Sequence, residues 1–162
     1  MNKKIVLFLI CMGAATAAFF LFPSDEKKIQ SNLNALADYC STTGNDKAIA
    51  ALTKISLAGK LCSNPIKVEV QSFDINRDLS RKELTDHILM MKKMLPDTEF
   101  TFYDTTILFP EKNRAELTTT LRLSGQVKDN RFTDAYELTI HTDKIDGKWL
   151  FSSFKVIEFI EQ

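Results

Sequence analysis

The sequence predicts an α+β domain carried behind an apolar N-terminal segment. Three observations predict it. Ile5 to Phe22 is an 18-residue run without a charge. From Asp25 to Leu95 apolar residues recur mostly at helical spacing. After Pro96 the period becomes two and stays there to the end. Helices first and a strand succession afterwards is an α+β plan.

The segments of the chain can be justified in order. Residues 1–4 make a short basic tail, predicted cytoplasmic, and residues 5–22 a transmembrane anchor or uncleaved signal. At about 1.5 Å per residue, an 18-residue helix spans about 27 Å, close to a bilayer's hydrocarbon core. A cleaved signal peptide exiting at Ala15-Thr16-Ala17 is an alternative. Cleavage there leaves Phe19-Phe20-Leu21-Phe22 near a new terminus. A lipoprotein at Cys11 is disfavoured by Ile10, where a small residue is needed. Lys3 and Lys4 set the amino terminus inside, so residues 24–162 face an exocytoplasmic space. The predicted location is a bacterial inner membrane, single-pass, with the domain in the periplasm; secretion after cleavage is the alternative.

Ser24 caps a first helix, with Ile29, Leu33, Leu36 and Cys40 on one face. Asn45 or Asp46 caps a second, with Ile49, Leu52, Ile55 and Leu61 as its stripe. Asn64-Pro65 ends the helical pattern. Ile66 to Phe73 alternates as a half-buried strand, and Asp74 to Asp78 reads as a loop. Ser80-Arg81-Lys82-Glu83 is a capping box, with Leu79 and Leu84 placed as a hydrophobic staple. Leu84, Ile88, Met91 and Leu95 form the buried stripe of this third helix, with Met90 and Met94 beside it, and Pro96 stops it. Glu99–Phe109, Arg114–Leu123, Phe132–His141 and Lys148–Ile160 read as strands, joined by Pro110–Asn113, a polar loop at Gly125–Asn130 and the Asp146-Gly147 turn. The predicted order is therefore α-α-β-α-β-β-β-β: a curved antiparallel sheet, one face dry, wrapped on three helices.

Composition narrows the partners. Without Lys3 and Lys4 the chain holds 19 basic against 21 acidic residues, a net of −2. A nucleic-acid binder needs a basic footprint that this domain lacks, so none is expected. Cys40 and Cys62 are candidates for a disulfide in an oxidising compartment, or two small packed thiols. The two histidines have no ligand spacing, so no metal is expected. No Gly-rich phosphate loop or serine elbow is present, and no cofactor is expected.

This element order resembles the nuclear transport factor 2-like superfamily, a cystatin-like α+β cone. The resemblance spans about Asp25 to Glu158. It rests on the helical hairpin before Ile66, the strand and capped helix at Ser80, and the ending Lys144-Ile145-Asp146-Gly147-Lys148-Trp149-Leu150. It implies a cone with a possible pocket, in a bacterial, membrane-anchored member. Members include isomerases, dehydratases, transport adaptors and scaffold domains, so fold alone does not select an activity.

Catalysis in such a cone needs polar groups inside it, where burial shifts their pKa. A carboxylate base with a tyrosine-containing oxyanion hole is one such pattern. Asp104, Tyr103, Tyr39 and Tyr136 are its candidate parts, and none aligns with a catalytic motif. Asp104 is a mid-strand acid among aromatics, or an outward residue beside a bulge. His87 lies on or beside the apolar stripe of the third helix, as a base facing a pocket or as a packing residue. Outward Thr118, Thr120 and Arg122, with Glu137 and Thr139, form a Thr-rich face, solvent-exposed or a homodimer surface. The reading this supports is a membrane-tethered exocytoplasmic binding or interaction domain without catalytic activity. Alternatives are a carrier of a small apolar ligand, an isomerase- or dehydratase-like enzyme using the cone cavity, and a secretion-assembly scaffold. The short tail argues against the scaffold.

Overall fold

The computed structural model describes residues 23–42, 48–95, 97–127 and 130–160. The predicted tail and anchor, residues 1–22, lie outside the described residues, as do Asn45, Asp46 and Pro96. Among the described residues no helix is long and apolar enough to cross a membrane.

Helix α1 spans Asp25–Cys40 and begins where the sequence places it. Ser24 Oγ accepts the Lys27 N–H at 3.3 Å, and Asp25 and Glu26 occupy the positive end of the helix dipole. Its buried face is Ile29, Leu33, Leu36 and Ala37, four and three residues apart as the periodicity requires. Helix α2 spans Ala48–Lys60 and returns beside α1, where Lys54 pairs with Asp38 at 3.6 Å. The stripe predicted for α2 is corrected. Ile55, Ala58 and Gly59 are buried, while Ile49 and Leu52 are 80% and 56% exposed. Burial is confined to the half of α2 that meets the third helix. There Gly59 lies so close to Thr85 that an added Cβ would meet its Cγ2 at 2.9 Å.

Strand β1, Cys62–Val70, is longer at its start than predicted and includes a cis Asn64-Pro65 bond. The segment read as a loop is corrected too. A 3₁₀ turn at Gln71–Phe73 leads to strand β2, Ile75–Leu79, which pairs antiparallel with β1. Four of its five residues are exposed, so it lacks the apolar alternation that marks a strand. Asp74, at φ 51°, makes the reversal.

Helix α3, Arg81–Met94, carries the predicted capping box intact. Glu83 Oε2 accepts the Ser80 N–H at 2.8 Å, and Ser80 Oγ accepts the Glu83 N–H at 3.3 Å. Leu79 and Leu84 both join the core, as a staple does. Ile88 is buried, and so is Lys92 on the same face.

Strands β3 (Glu99–Glu111), β4 (Arg114–Val127), β5 (Asn130–Ile145) and β6 (Lys148–Ile160) form a meander. β4 continues through the predicted Gly125 loop. Asp146 and Gly147, at φ 50° and 77°, make the β5–β6 turn with both central residues left-handed. The sheet has six strands in the order β2-β1-β6-β5-β4-β3. It is not wholly antiparallel: β1 runs parallel to β6. The crossover from β2 through α3 to the meander returns β6 beside β1.

Bulges in β3 and β6 curve the sheet around its helices. In β3 the register shifts between Tyr103 and Thr106, so Phe102 before the shift and Ile107 after it both pack against the core. In β6 a shift at Ser152 lets Trp149 and Phe151, and then Phe154 and Val156, contribute to the core. Thr119, buried in β4, donates to the Tyr103 carbonyl at 2.9 Å and shares a 2.8 Å hydrogen bond with Thr105.

Candidate functional site

The concave side of the sheet and the two helices facing it enclose a cavity of about 170 Å³. Leu36, Ala37 and Cys40 of α1 and Leu84 and Ile88 of α3 form its helical side. Cys62, Phe100, Phe102, Leu121, Leu138 and Phe154, from five strands, form the rest. The position of each follows from local rules. The helical residues recur at spacings of three and four, and the β3 pair precedes the bulge, where both point inward.

Cys40 and Cys62 are the ionisable members of this lining. They are free thiols, so the bridge that the sequence allows is not formed. Burial pushes Cys40 up to about 11, opposed by the positive charge of Lys92. Burial, with a contribution from Cys40, pushes Cys62 up to about 12, opposed by Arg81. Both are protonated thiols at neutral pH, and a protonated thiol is a poor nucleophile.

Beside the cavity runs an open groove of about 720 Å³ between the end of α1 and the start of β3. It shares Ala37, Phe100 and Phe102 with the cavity, so these three side chains form the partition between them. Its rim is acidic, with Asp38, Asp97 and Glu99. Ser41 holds its walls together: the hydroxyl donates to the Ala37 carbonyl at 2.8 Å and accepts the Phe100 N–H at 2.9 Å. The Ser41 carbonyl accepts from Lys92 Nζ, which explains how a lysine 7% exposed is tolerated here. Lys92 was legible in principle, because it follows Ile88 by four residues on the same helical face. Ser41, Asp38 and Asp97 carried no sequence signal, because the groove joins segments about sixty residues apart.

The residues proposed for catalysis are not brought together here. Asp104 is exposed at the β3 bulge in a left-handed conformation, φ 51°. Tyr103 beside it is 45% exposed. His87 is exposed on α3. Tyr39 and Tyr136 are half-buried against the core, and burial, with Asp134 nearby, raises the Tyr136 phenol. None of the five lines the cavity. No cluster of three metal-ligating side chains occurs among the described residues. On the outer face Thr118 and Arg122 are exposed and Thr120, Glu137 and Thr139 half-buried. Further along that face Lys155 pairs with Glu69 at 3.1 Å and His141 with Glu116 at 3.3 Å.

No family model and no curated protein matches the sequence. Solved structures do match in shape. A Kribbella flavida protein superposes with a TM-score of 0.68 at 11% identity, over 82% of this chain and 89% of that one. A Nostoc punctiforme protein of unknown function with a cystatin-like fold gives 0.66 at 12% identity, over 86% and 94%. The fold is the cystatin-like cone. A third cone, the hexachlorocyclohexane dehydrochlorinase of Novosphingobium barchaimii, gives 0.66 at 10% identity, over 85% and 89%. At such identities the likeness covers the cystatin-like architecture, and the cone's contents distinguish one protein from another.

Proposed function

We propose that this chain is a membrane-tethered binding domain whose cone takes up a small apolar group and performs no catalysis. Ile5–Phe22 is its anchor in a bacterial inner membrane, with residues 24–162 in the periplasm. The cavity lining carries the binding reading: hydrocarbon and aromatic side chains, with two protonated thiols as its ionisable groups. A volume of about 170 Å³ suits a benzene-sized molecule or the end of an alkyl chain, since apolar cavities of roughly 150 Å³ stay dry and bind benzene. The acidic groove outside Phe100 and Phe102 favours a ligand whose apolar end enters the cavity and whose polar or cationic end stays at the rim.

The test uses the full chain in lipid nanodiscs with benzene and short n-alkylamines as probes, binding read by thermal shift. Both raise the melting temperature, and Leu121→Phe, which fills the cavity, removes the effect. A melting temperature that no probe moves rejects the binding reading. Protease added to intact spheroplasts digests the domain if it faces the periplasm; protection rejects that placement.

The likeness to a dehydrochlorinase favours a second reading, an enzyme working in the same cone. That reading requires Cys40 or Cys62 to act, or a group that moves into the cavity. Turnover that disappears in Cys40→Ser while probe binding persists would mark it.

A further inference from the structure

Three segments converge at one end of the cone. Lys144 Nζ donates to Asp25, the first residue of α1, at 2.7 Å. The Asn113 carbonyl in the β3–β4 turn accepts the Lys144 N–H at 2.8 Å. Phe109, near the end of β3, stands edge-on to Trp149 at the start of β6, ring centroids 5.8 Å apart. The start of α1 and both hairpin turns therefore form one pole.

That pole leaves apolar side chains uncovered where a water-facing hairpin end is ordinarily polar. Leu108 is 60% exposed, Phe109 44% and Ile145 45%. Exposed Lys112 and Lys148 occupy the turns beside them. The chain enters at the same place. Between Phe22, where the apolar run ends, and Asp25 stand Pro23 and Ser24 alone. Three Cα steps reach at most about 11 Å, so a bilayer holding Ile5–Phe22 keeps the start of α1 within about that distance.

We propose that this pole is a membrane-contact surface. Leu108, Phe109 and Ile145 enter the boundary between headgroups and acyl chains of the bilayer that holds the anchor, and Lys112 and Lys148 reach its phosphates. The inference rests on the anchor reading and adds an orientation to it. The groove's mouth, at Ser41 and Asp97, lies at the other end of α1. That 16-residue helix puts the mouth about 24 Å from the pole. The groove then faces the aqueous compartment, and a ligand that uses its acidic rim arrives through water.

Trp149, the single tryptophan, reports on this pole. The experiment reconstitutes the full chain in phosphatidylethanolamine–phosphatidylglycerol vesicles carrying headgroup nitroxide lipids. Trp149 emission falls relative to nitroxide-free vesicles, and Leu108→Ser with Ile145→Ser restores most of it. Ile49→Ser, an exposed apolar residue on α2, changes nothing. Hydrogen exchange at Lys112–Asn113 and Asp146–Gly147, slowed by the vesicles and released in the double variant, reads the same contact without the tryptophan. A chain that stays with the vesicles but shows neither quenching nor protection overturns the contact surface and spares the anchor. A chain that leaves the vesicle fraction overturns both.

Discussion

Asp25 shows how one residue carries several roles. It lies in the first turn of α1, and its carboxylate accepts from Lys144 at 2.7 Å and Lys28 at 3.2 Å. The Lys144 hydrogen bond holds its carboxyl down at about 2, with help from the Trp149 indole N–H beside it and from Lys28, against a burial effect that raises it. The indole N–H lies outside strict hydrogen-bond geometry, so Lys144 is the dominant partner. A carboxyl held below its unfolded value of 3.8 contributes stability above that pH, and the contribution disappears as pH falls toward 2. In acid titrations followed by circular dichroism, Asp25→Asn is therefore expected to flatten the loss of stability between about pH 4 and pH 2. The thiols behave in the opposite sense. Raised from 9.0, they favour the folded state below that pH, and the advantage is lost as pH climbs toward 11 and 12. In a Cys11→Ser chain at pH 8, alkylation of Cys40 should run about a hundredfold slower than that of an unperturbed thiol, and that of Cys62 slower still. Mass spectrometry of iodoacetamide-treated protein checks this. Denaturant should bring both thiols to the ordinary rate.

At the scale of elements, the legible pieces were those whose signals are local. The α3 cap needs four consecutive residues, and both of its reciprocal hydrogen bonds are made. Ser80→Ala is expected to cost about 1 kcal/mol, read as a lower urea midpoint with an unchanged m-value. The Asp146-Gly147 turn is likewise written in two residues that accept positive φ. Strand β2 was missed because its sequence, Ile-Asn-Arg-Asp-Leu, buries one residue in five. It is a strand because β1 offers an edge to pair with, which no local pattern announces. The α2 stripe failed for a related reason. Ile49 and Leu52 follow the helical period, but the residues that are buried are Ile55, Ala58 and Gly59, the last of them against Thr85 of α3. Periodicity states that a face exists, and neighbours decide which residues fill it.

For the molecule as a whole, the hairpin turns gather at one end of the cone, and the groove lies at the other, parted from the cavity by Ala37, Phe100 and Phe102. Its interior is apolar because the insertion between Tyr103 and Thr106 in β3 and the one at Ser152 in β6 each turn apolar side chains inward on both sides of a bulge. Leu138 belongs both to the buried core and to the cavity wall. Leu138→Ala is expected to destabilise by about 2–5 kcal/mol and to enlarge the cavity. If the cavity binds apolar ligands, benzene should recover part of that loss, visible as a urea midpoint that rises with benzene concentration. A midpoint indifferent to benzene would mean that the site collapses.

By itself the sequence determined the α+β plan, three helices, the strand that follows the first two, four long strands, the caps at Ser24 and Ser80, the Asp146-Gly147 turn, and the apolar run before Pro23. Each of these is set by residues within a turn or two of one another, so a linear reading reaches them. The tertiary structure alone decided the sixth strand, the parallel β1–β6 pair, the exposure of Asp104 and His87, the free thiols sharing one cavity, and the groove at Ser41. Those depend on which distant segments meet, and register and bulge placement fix that only when the whole sheet closes around its helices.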